Sequence, residues 1–207
     1  MNQNRNKMKT QRLNLMYAFV STIIFAIVLT LASCGNSKQN SDKEAEQATE
    51  APTKVKPPSM DLHTATFLGD LDAVKQHIAT GTDLDQREPT MGSTALISAA
   101  VFGKTNVARE LIEAGADVNI QNQEGSTALH SAAFLCRTEI VKMLLENGAD
   151  KELKNIYGST PLASVSGPFS EVKDIYDEFS KQLGPLGLKL DYDQIEKTRP
   201  VIADMLR

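Results

Sequence analysis

The 207-residue chain has few of the residues that build a large aromatic core or a disulfide framework. It has no Trp, only 5% aromatic residues, and two Cys. Two Cys cannot form the multiple-disulfide framework of a small secreted domain. Apolar residues nevertheless make up 41% of the chain and charged residues 23%, which excludes both wholesale disorder and a polytopic membrane protein. We therefore expect a small core that is mainly aliphatic.

Basic residues are in the minority outside the N-terminal segment. Residues 1–33 hold four of the 22 Lys and Arg residues and none of the 26 Asp and Glu residues. The rest of the chain therefore carries 18 bases against 26 acids, a formal net charge of −8. An acidic chain gains nothing from the counterion release that drives binding to phosphate backbones. Nucleic acid is accordingly not an expected partner.

A basic segment followed by a short apolar run opens the chain. Residues 17–32 are apolar apart from three hydroxyl residues. A helix of that length spans about 24 Å, less than the roughly 30 Å of a hydrocarbon core, which favours a cleaved signal peptide over a membrane-spanning helix. The run ends in Leu31-Ala32-Ser33-Cys34, which resembles the lipobox of bacterial lipoproteins. This resemblance implies cleavage after residue 33 and attachment of lipid, diacylglycerol and palmitate, at Cys34. An uncleaved anchor with an incidental Cys is the alternative.

The same resemblance implies a location. Gly35 rather than Asp follows the Cys, which by analogy indicates the outer membrane, facing the periplasm or exposed at the cell surface. From Gly35 to Ser59 the chain has no aromatic residue and one branched apolar residue, Val55. Such a segment cannot bury enough apolar surface to fold, so residues 34–59 are expected to be a disordered tether. A flexible coil of this length spans roughly 25–30 Å.

The remaining chain repeats every 33 residues, as Gly, Thr and Leu show at positions 92, 94 and 96 and at their equivalents. The best-kept unit reads Gly125-Ser-Thr-Ala-Leu-His-Ser-Ala-Ala133, followed by Glu139-Ile-Val-Lys-Met-Leu-Leu-Glu-Asn-Gly-Ala-Asp150. It resembles the ankyrin repeat, whose pattern is G-x-T-P-L-H-x-A-A and then I-V-x-x-L-L-x-x-G-A-D. The resemblance implies an all-α ankyrin-repeat solenoid of about four helix-turn-helix units. We place them at about 60–87, 88–121, 122–154 and 155–207.

Residue types within the units agree with this fold. Thr94 and Thr127 are expected to cap first helices, and Gly115 and Gly148 to end second helices in a left-handed conformation. Apolar residues recur at i, i+1, i+4 and i+5 in the second helices and are expected to form the stacked core. These core residues are Val107, Leu111, Ile112, Ile140, Val141, Leu144 and Leu145.

The fourth unit departs from the pattern. Val201-Ile202 and Met205-Leu206 repeat the apolar spacing of the third unit's second helix, but 61 residues further on instead of 33. This favours an insertion near 169–196, which carries an amphipathic helix with Val172, Ile175, Tyr176, Phe179 and Leu183. In the alternative register, residues 170–183 are the unit's own second helix and the remainder is a cap.

Partner binding is the function that the ankyrin resemblance implies, through the turn tips and the exposed positions of the first helices. The first-helix positions are all apolar here and would form an apolar ladder along the concave face. Each of the first three units contributes two neighbouring residues to this ladder, and the second of the two could instead pack between adjacent first helices. Apolar surface in an acidic surround suggests a protein partner. The predicted partner-binding residues are Phe67, Leu68, Val101, Phe102, Phe134 and Leu135 in the ladder and Met91, Glu124 and Tyr157 at the tips, with Ile156 beside them.

No residue set for catalysis, a cofactor or a metal is visible in the sequence. His130 occupies the histidine of the repeat pattern, where the ring is expected to hydrogen-bond neighbouring turns, and the same is expected of His63. His77 is expected on a polar helix face, and no two of the three have metal-ligand spacing. Cys136 replaces the Gly that usually follows the first helix, and we expect a small filler rather than a nucleophile.

The sequence thus predicts a membrane-tethered protein-binding module of the bacterial cell envelope, one that restrains or protects an envelope enzyme or toxin. A scaffold that stabilises an envelope complex is a second hypothesis. A third is an enzyme with its site in the insertion, which requires that Asp191, Tyr192 and Asp193 converge with Tyr176 on a pocket. The expected partners are one protein and, through the N-terminal lipid alone, the membrane.

Overall fold

The computed structural model describes residues 58–207, and within this range the regular structure is entirely helical. Two short 3₁₀ turns, at Phe169–Glu171 and Gly184–Leu186, flank the eighth helix. The α-helices are α1 Leu62–Leu68, α2 Leu71–Ala79, α3 Ala95–Phe102, α4 Thr105–Glu113, α5 Ala128–Phe134, α6 Thr138–Glu146, α7 Pro161–Val165, α8 Lys173–Leu183 and α9 Tyr192–Leu206.

The helices stack in two rows. Helices α1, α3, α5 and α7 form an inner row in which each packs against the next, and α2, α4, α6 and α9 form the outer row in the same way. Each inner helix also packs against the outer helix of its own unit. The prediction of an all-α ankyrin-repeat solenoid of about four units, the last with a helical insertion, is confirmed.

The predicted helix caps are present. The hydroxyl of Thr94 accepts a hydrogen bond from the Ile97 amide at 3.3 Å, and Thr127 caps α5 in the same way. Such caps satisfy backbone donors that have no partner within the helix. Gly115 and Gly148 follow α4 and α6 with φ of 91° and 81°, the left-handed conformation that was predicted.

One apolar core, which we call the stack core, runs between the two rows. The side chains of Val107, Leu111, Ile140 and Leu144 are at most 2% exposed, as their spacing predicted. Burying one such side chain stabilises the fold by roughly 1.5–3 kcal/mol. Because each unit buries its apolar face only against its neighbours, the stability of the stack resides in the interfaces between units.

A basic side chain clamps each of the first two interfaces. Lys104 precedes α4 and reaches back to the previous unit, where its Nζ donates to Leu68 O at 3.3 Å. Arg137 precedes α6 and donates from Nη2 to Val101 O at 3.4 Å. Both side chains lie over the glycine that ends the previous inner helix: a Cβ on Gly69 would be 3.1 Å from Lys104, and one on Gly103 would be 3.0 Å from Arg137. A side chain at either glycine would therefore have to push the basic side chain aside by a few tenths of an ångström.

The fourth unit is split by the insertion. Helix α7 has five residues and is followed by Gly167, whose φ is 93°. Helix α9 packs against α6 and α7 and contributes Ile202 and Leu206 to the stack core, so it fills the outer-helix position of this unit. Val201, which the same spacing predicted to be in the core, is 51% exposed.

The insertion builds a second apolar cluster, which we call the insertion cluster. One face of α8 buries Ile175, Tyr176, Phe179 and Leu183, as the amphipathic spacing predicted. This face lies against the C-terminal ends of α3 and α5, not against solvent. The buried members of the insertion cluster are Leu135, Ile175, Tyr176, Phe179, Leu183, Leu188 and Ile195.

Candidate partner-binding surface

The last third of the predicted apolar ladder is covered by α8. The ring of Phe134 stacks on Tyr176 with centroids 4.7 Å apart and contacts Phe179 at 5.2 Å. Leu135 is 2% exposed and therefore packs inside the protein. This is the alternative that the sequence left open for the second residue of each ladder pair. With α8 in this position, Leu135 is buried and Phe134 is half-buried, so the accessible apolar surface of this part of the ladder is small.

The first third of the ladder is open. Phe67 and Phe102 meet edge to face, with ring centroids 4.8 Å apart. Val101 and Phe102 are half-buried where the insertion cluster ends, whereas Leu68 is 58% exposed. The ladder thus changes from accessible at α1 to covered at α5. A role of these residues in partner binding stays a prediction.

The turn tips are joined by backbone hydrogen bonds between units. The Gln123 amide donates to Met91 O, and the Ile156 amide donates to Glu124 O, both at 2.9 Å. These bonds join backbone atoms and fix the spacing of the tips. Met91 and Tyr157 are half-buried, and Ile156 is 65% exposed.

Each tip is also held from within by an acidic or amide side chain. The Asn122 side chain accepts from the Glu124 and Ser126 amides at 3.0 and 2.9 Å, and Asn155 has the same role in the fourth unit. In the second unit the longer side chain of Glu88 takes this role, accepting from the Ser93 amide at 3.1 Å. The longer reach is needed because this turn is one residue longer.

Glu124 is the predicted tip residue whose environment differs most from expectation. Its side chain is buried, and burial raises the pKa of the carboxyl group to about 7. At neutral pH the side chain is therefore partly protonated. A group that titrates near pH 7 makes the shape and charge of this tip dependent on pH.

Sequence reasoning missed a buried polar network between the insertion and the stack. Arg199 is 2% exposed and donates from Nη1 to Ser164 O at 3.0 Å and to the Tyr176 hydroxyl at 3.1 Å. The Tyr176 hydroxyl donates in turn to Phe134 O at 2.5 Å, and burial raises the pKa of Tyr176. Arg199 lies four residues after the buried Ile195 and three before Ile202, so its place in the apolar stripe of α9 was the available signal.

Cys136 occupies the position that glycine takes in the preceding units, and its backbone is left-handed, with a φ of 56°. The equivalent residues Gly69 and Gly103 lie under a basic clamp, whereas Cys136 carries a side chain at this position. Its Sγ instead lies 3.7 Å from Ile195 O, under the insertion. Burial raises the pKa of the thiol to about 11, so the thiol stays protonated at neutral pH and is a poor nucleophile.

The histidines differ in outcome. His130 confirms the prediction, because its Nε2 donates to Ser159 O at 3.1 Å and its Nδ1 accepts from the Thr127 amide at 3.2 Å. Burial lowers the pKa of His130, which keeps the ring neutral. The prediction for His63 is wrong, since neither ring nitrogen has a hydrogen-bond partner.

The prediction for His77 is also wrong. The ring is buried instead of lying on a polar face, and its Nε2 donates to Met60 O at 2.8 Å. Its Nδ1 accepts from the Thr82 hydroxyl at 3.0 Å. The segment before α1 thereby gives the open end of the stack a cover that the helix pattern alone did not reveal.

Of the residues in the third hypothesis, Tyr176 and Tyr192 both contact the Phe169 ring, whereas the two aspartates lie at the start of α9. Tyr176 uses its hydroxyl inside the insertion cluster, and Asp191 accepts from the Gln194 amide at 3.0 Å as the cap of α9. Asp193 is exposed in the first turn of α9. The convergence that an active site in the insertion requires is absent from this arrangement.

Two negative findings apply to residues 58–207. In this range no three His, Cys, Asp or Glu side chains come together as a metal site would require. Nor is any of the helices described here sufficiently long and apolar to span a bilayer. The predicted signal peptide, the lipidation at Cys34 and most of the tether lie outside the described residues.

Comparison with known proteins agrees with the geometry. Residues 62–155 match the family described as "Ankyrin repeats (3 copies)", a range that runs from α1 to the turn after α6. A 66-residue stretch is 36% identical to the human DNA-binding protein RFXANK and covers 32% of this chain. The match spans 25% of that relative's length. Residues 62–155 therefore have the sequence and the fold of ankyrin repeats, a family whose members typically bind other proteins.

Proposed function

We propose that this protein is a lipid-tethered binding module of the bacterial cell envelope that holds one protein partner at the membrane surface and restrains or protects it. The observation that carries the proposal is the exposure of two large apolar side chains on the surfaces that ankyrin repeats use. Leu68 is 58% exposed at the end of α1, and Ile156 is 65% exposed at the fourth turn tip. Contact with a partner would remove this apolar surface from water.

The chemistry of the surface favours a protein over a nucleic acid. The name of RFXANK refers to DNA binding by that protein, whereas residues 34–207 here carry 18 bases against 26 acids. Phosphate binding requires Lys and Arg that neutralise the backbone. Exposed apolar side chains such as Leu68 and Ile156 are instead suited to the apolar centre of a protein interface.

The lipobox-like sequence supports the tether. A lipid on Cys34 would be separated from the stack by the 25 residues from Gly35 to Ser59 and would keep the stack near the membrane. Confinement to one surface raises the effective concentration of a partner in the same membrane, so a modest affinity would suffice. Binding would be stoichiometric, and the partner would be an envelope enzyme or toxin.

A pull-down from detergent-solubilised envelope tests the proposal. The wild type is expected to recover one protein in stoichiometric amount, and a Cys34→Ala form is expected to bind the same protein but to leave the membrane fraction. Leu68→Glu and Ile156→Glu should each weaken recovery at least tenfold, because burial of one such side chain is worth roughly 1.5–3 kcal/mol. Val201→Glu is the matched control, since Val201 is 51% exposed on the outer helix α9.

Equal recovery by all three Glu variants would contradict the proposed surface. Loss of the recovered protein's enzymatic or toxic activity on mixing would support restraint or protection. An unchanged activity together with slower unfolding of the partner would favour the scaffold hypothesis.

A further inference from the structure

The insertion is separable from the stack because the two apolar clusters share almost no residues. The stack core takes Ile202 and Leu206 from α9, whereas the insertion cluster takes Ile195 from the same helix and all of the buried face of α8. Among the half-buried apolar residues, Cys136 packs against both clusters. Moving α8 away would therefore leave the stack core intact.

Both ends of the insertion carry residues at which a chain can bend. At the N-terminal end, Gly167 has a φ of 93° and lies in an exposed stretch with Pro168. At the C-terminal end, Pro200 lies inside α9, between the residues of the two clusters. A proline has no amide hydrogen to donate to the preceding turn, so α9 is weakest at this point.

The contact between α8 and the ladder is that of an amphipathic helix on a binding surface. Tyr176 and Phe179, three residues apart, place their rings on Phe134, while the opposite face of α8 exposes charged residues such as Lys173 and Asp177. We propose that α8 is a built-in occupant of the partner surface, and that a partner presenting an aromatic amphipathic helix displaces it to reach Phe134 and Leu135. This regulation rests on the proposed function, because it concerns the same apolar ladder.

A polar latch gives the closed arrangement a defined geometry. Arg199, next to the bend at Pro200, joins Ser164 O of the stack to the hydroxyl of Tyr176 in α8. That hydroxyl also donates to Phe134 O. Displacement of α8 breaks both hydrogen bonds of Tyr176 at once, and a bend of α9 at Pro200 would also move Arg199 relative to Ser164.

Cys136 is a natural thiol whose labelling can report on opening of the insertion, without an engineered cysteine. Its Sγ lies beside the insertion, and replacing Cys34 by Ala leaves Cys136 as the single thiol of the chain. Thiol-labelling rates of the full chain in detergent, measured with a disulfide reagent, then follow the fraction of molecules in which the insertion is open. The raised pKa of the buried thiol makes the closed state still less reactive.

Two matched variants separate opening from global unfolding. Phe179→Ala removes a ring of the insertion cluster and should speed labelling about a hundredfold while the thermal midpoint of the helical signal changes little. Val74→Ala removes a wholly buried side chain of the stack core in α2, far along the stack, and should lower that midpoint without speeding labelling. Labelling that follows global stability in both variants would overturn the proposal. The proposal would also be overturned if Cys136 of the folded wild type were labelled as fast as in the urea-unfolded protein.

A peptide of residues 169–190, added to the Phe179→Ala protein, tests the chemistry of the occupant. The wild-type peptide is expected to slow labelling of Cys136, and the same peptide with Phe179→Ala is expected to have no effect. No slowing by the wild-type peptide would overturn the inference that the ladder selects such a helix. Since none of these measurements uses the unidentified partner, their failure is distinguishable from a failed pull-down.

Discussion

A methyl group added at a turn tip should be far more costly in the third unit than in the fourth. Gly125 and Gly158 occupy the same position of their repeats, with φ of 69° and 73°. A Cβ at Gly125 would lie 3.0 Å from both Asn155 Cα and the Ile156 amide nitrogen, whereas a Cβ at Gly158 would meet nothing within 4 Å. The pair therefore isolates the contact between one turn tip and the next.

The magnitude follows from this difference. At either position the left-handed backbone destabilises the alanine variant by about 1–2 kcal/mol. Alanine also lowers the entropy of the unfolded chain, which offsets about 0.4–1 kcal/mol of this loss. At Gly125 the obstructing atoms are backbone, so the fourth tip has to shift and its 2.9 Å bond to Glu124 O is lost. The lost bond and the overpacking add about 2 kcal/mol. We expect Gly158→Ala to cost about 1 kcal/mol and Gly125→Ala about 3 kcal/mol.

Thermal and urea unfolding followed by circular dichroism measure this difference. For a folded region of about 150 residues, 2 kcal/mol corresponds to a gap of roughly 4–8 °C between the midpoints of the two variants. Equal midpoints would refute the reasoning, because they would show that neighbouring tips do not approach each other as closely as these distances require.

Three further predictions concern side chains of the candidate surface. Glu124→Gln should stabilise the protein by about 1–3 kcal/mol at pH 8 and not at pH 4. The pKa of Glu124 is about 7 in the folded protein and 4.5 in the unfolded chain, so the free energy of unfolding of the wild type falls as the pH rises from 4.5 to about 7. An equal effect at both pH values in urea unfolding would contradict this. Leu135→Ala should cost about 2–4 kcal/mol and the half-exposed Leu68→Ala under about 0.5 kcal/mol, and equal urea midpoints would show that α8 does not bury Leu135. His130→Ala should cost about 1–3 kcal/mol, because the buried ring is lost and Ser159 O keeps only the Asn155 amide as a donor; a thermal midpoint equal to that of wild type would argue against the bond from His130.

The repeat period was sufficient to predict the stack. Helix caps such as Thr94, the left-handed Gly115 and buried residues such as Leu111 all depend on contacts within a unit or with the next copy of the same pattern. Because the sequence repeats every 33 residues, the residues that make both kinds of contact recur at fixed positions and can be recognised in the sequence. The role of His130 was predictable for the same reason, because its acceptor Ser159 belongs to the next turn.

The insertion could be located from the sequence, but its position on the stack could not. The amphipathic spacing of Tyr176 and Phe179 predicted that α8 buries one face. It gave no indication that this face lies on Phe134, 42 residues earlier, because the contact follows no period. The same holds for Arg199, whose acceptor Ser164 is 35 residues away in a unit without a complete template.

The clamps limit how this protein can be lengthened. In repeat proteins a unit can often be duplicated by gene rearrangement or by design, and a copy of the second unit placed between the first two would bring its own Lys104 over Gly69. A copy placed after the third unit would bring that lysine onto the side chain of Cys136. At the equivalent glycines of the first two units, an added Cβ would lie just 3.0–3.1 Å from the basic side chain. We therefore expect such a copy to fit more easily upstream of Cys136 than directly after the third unit, where the lysine and the Cys136 side chain would have to move apart by a few tenths of an ångström.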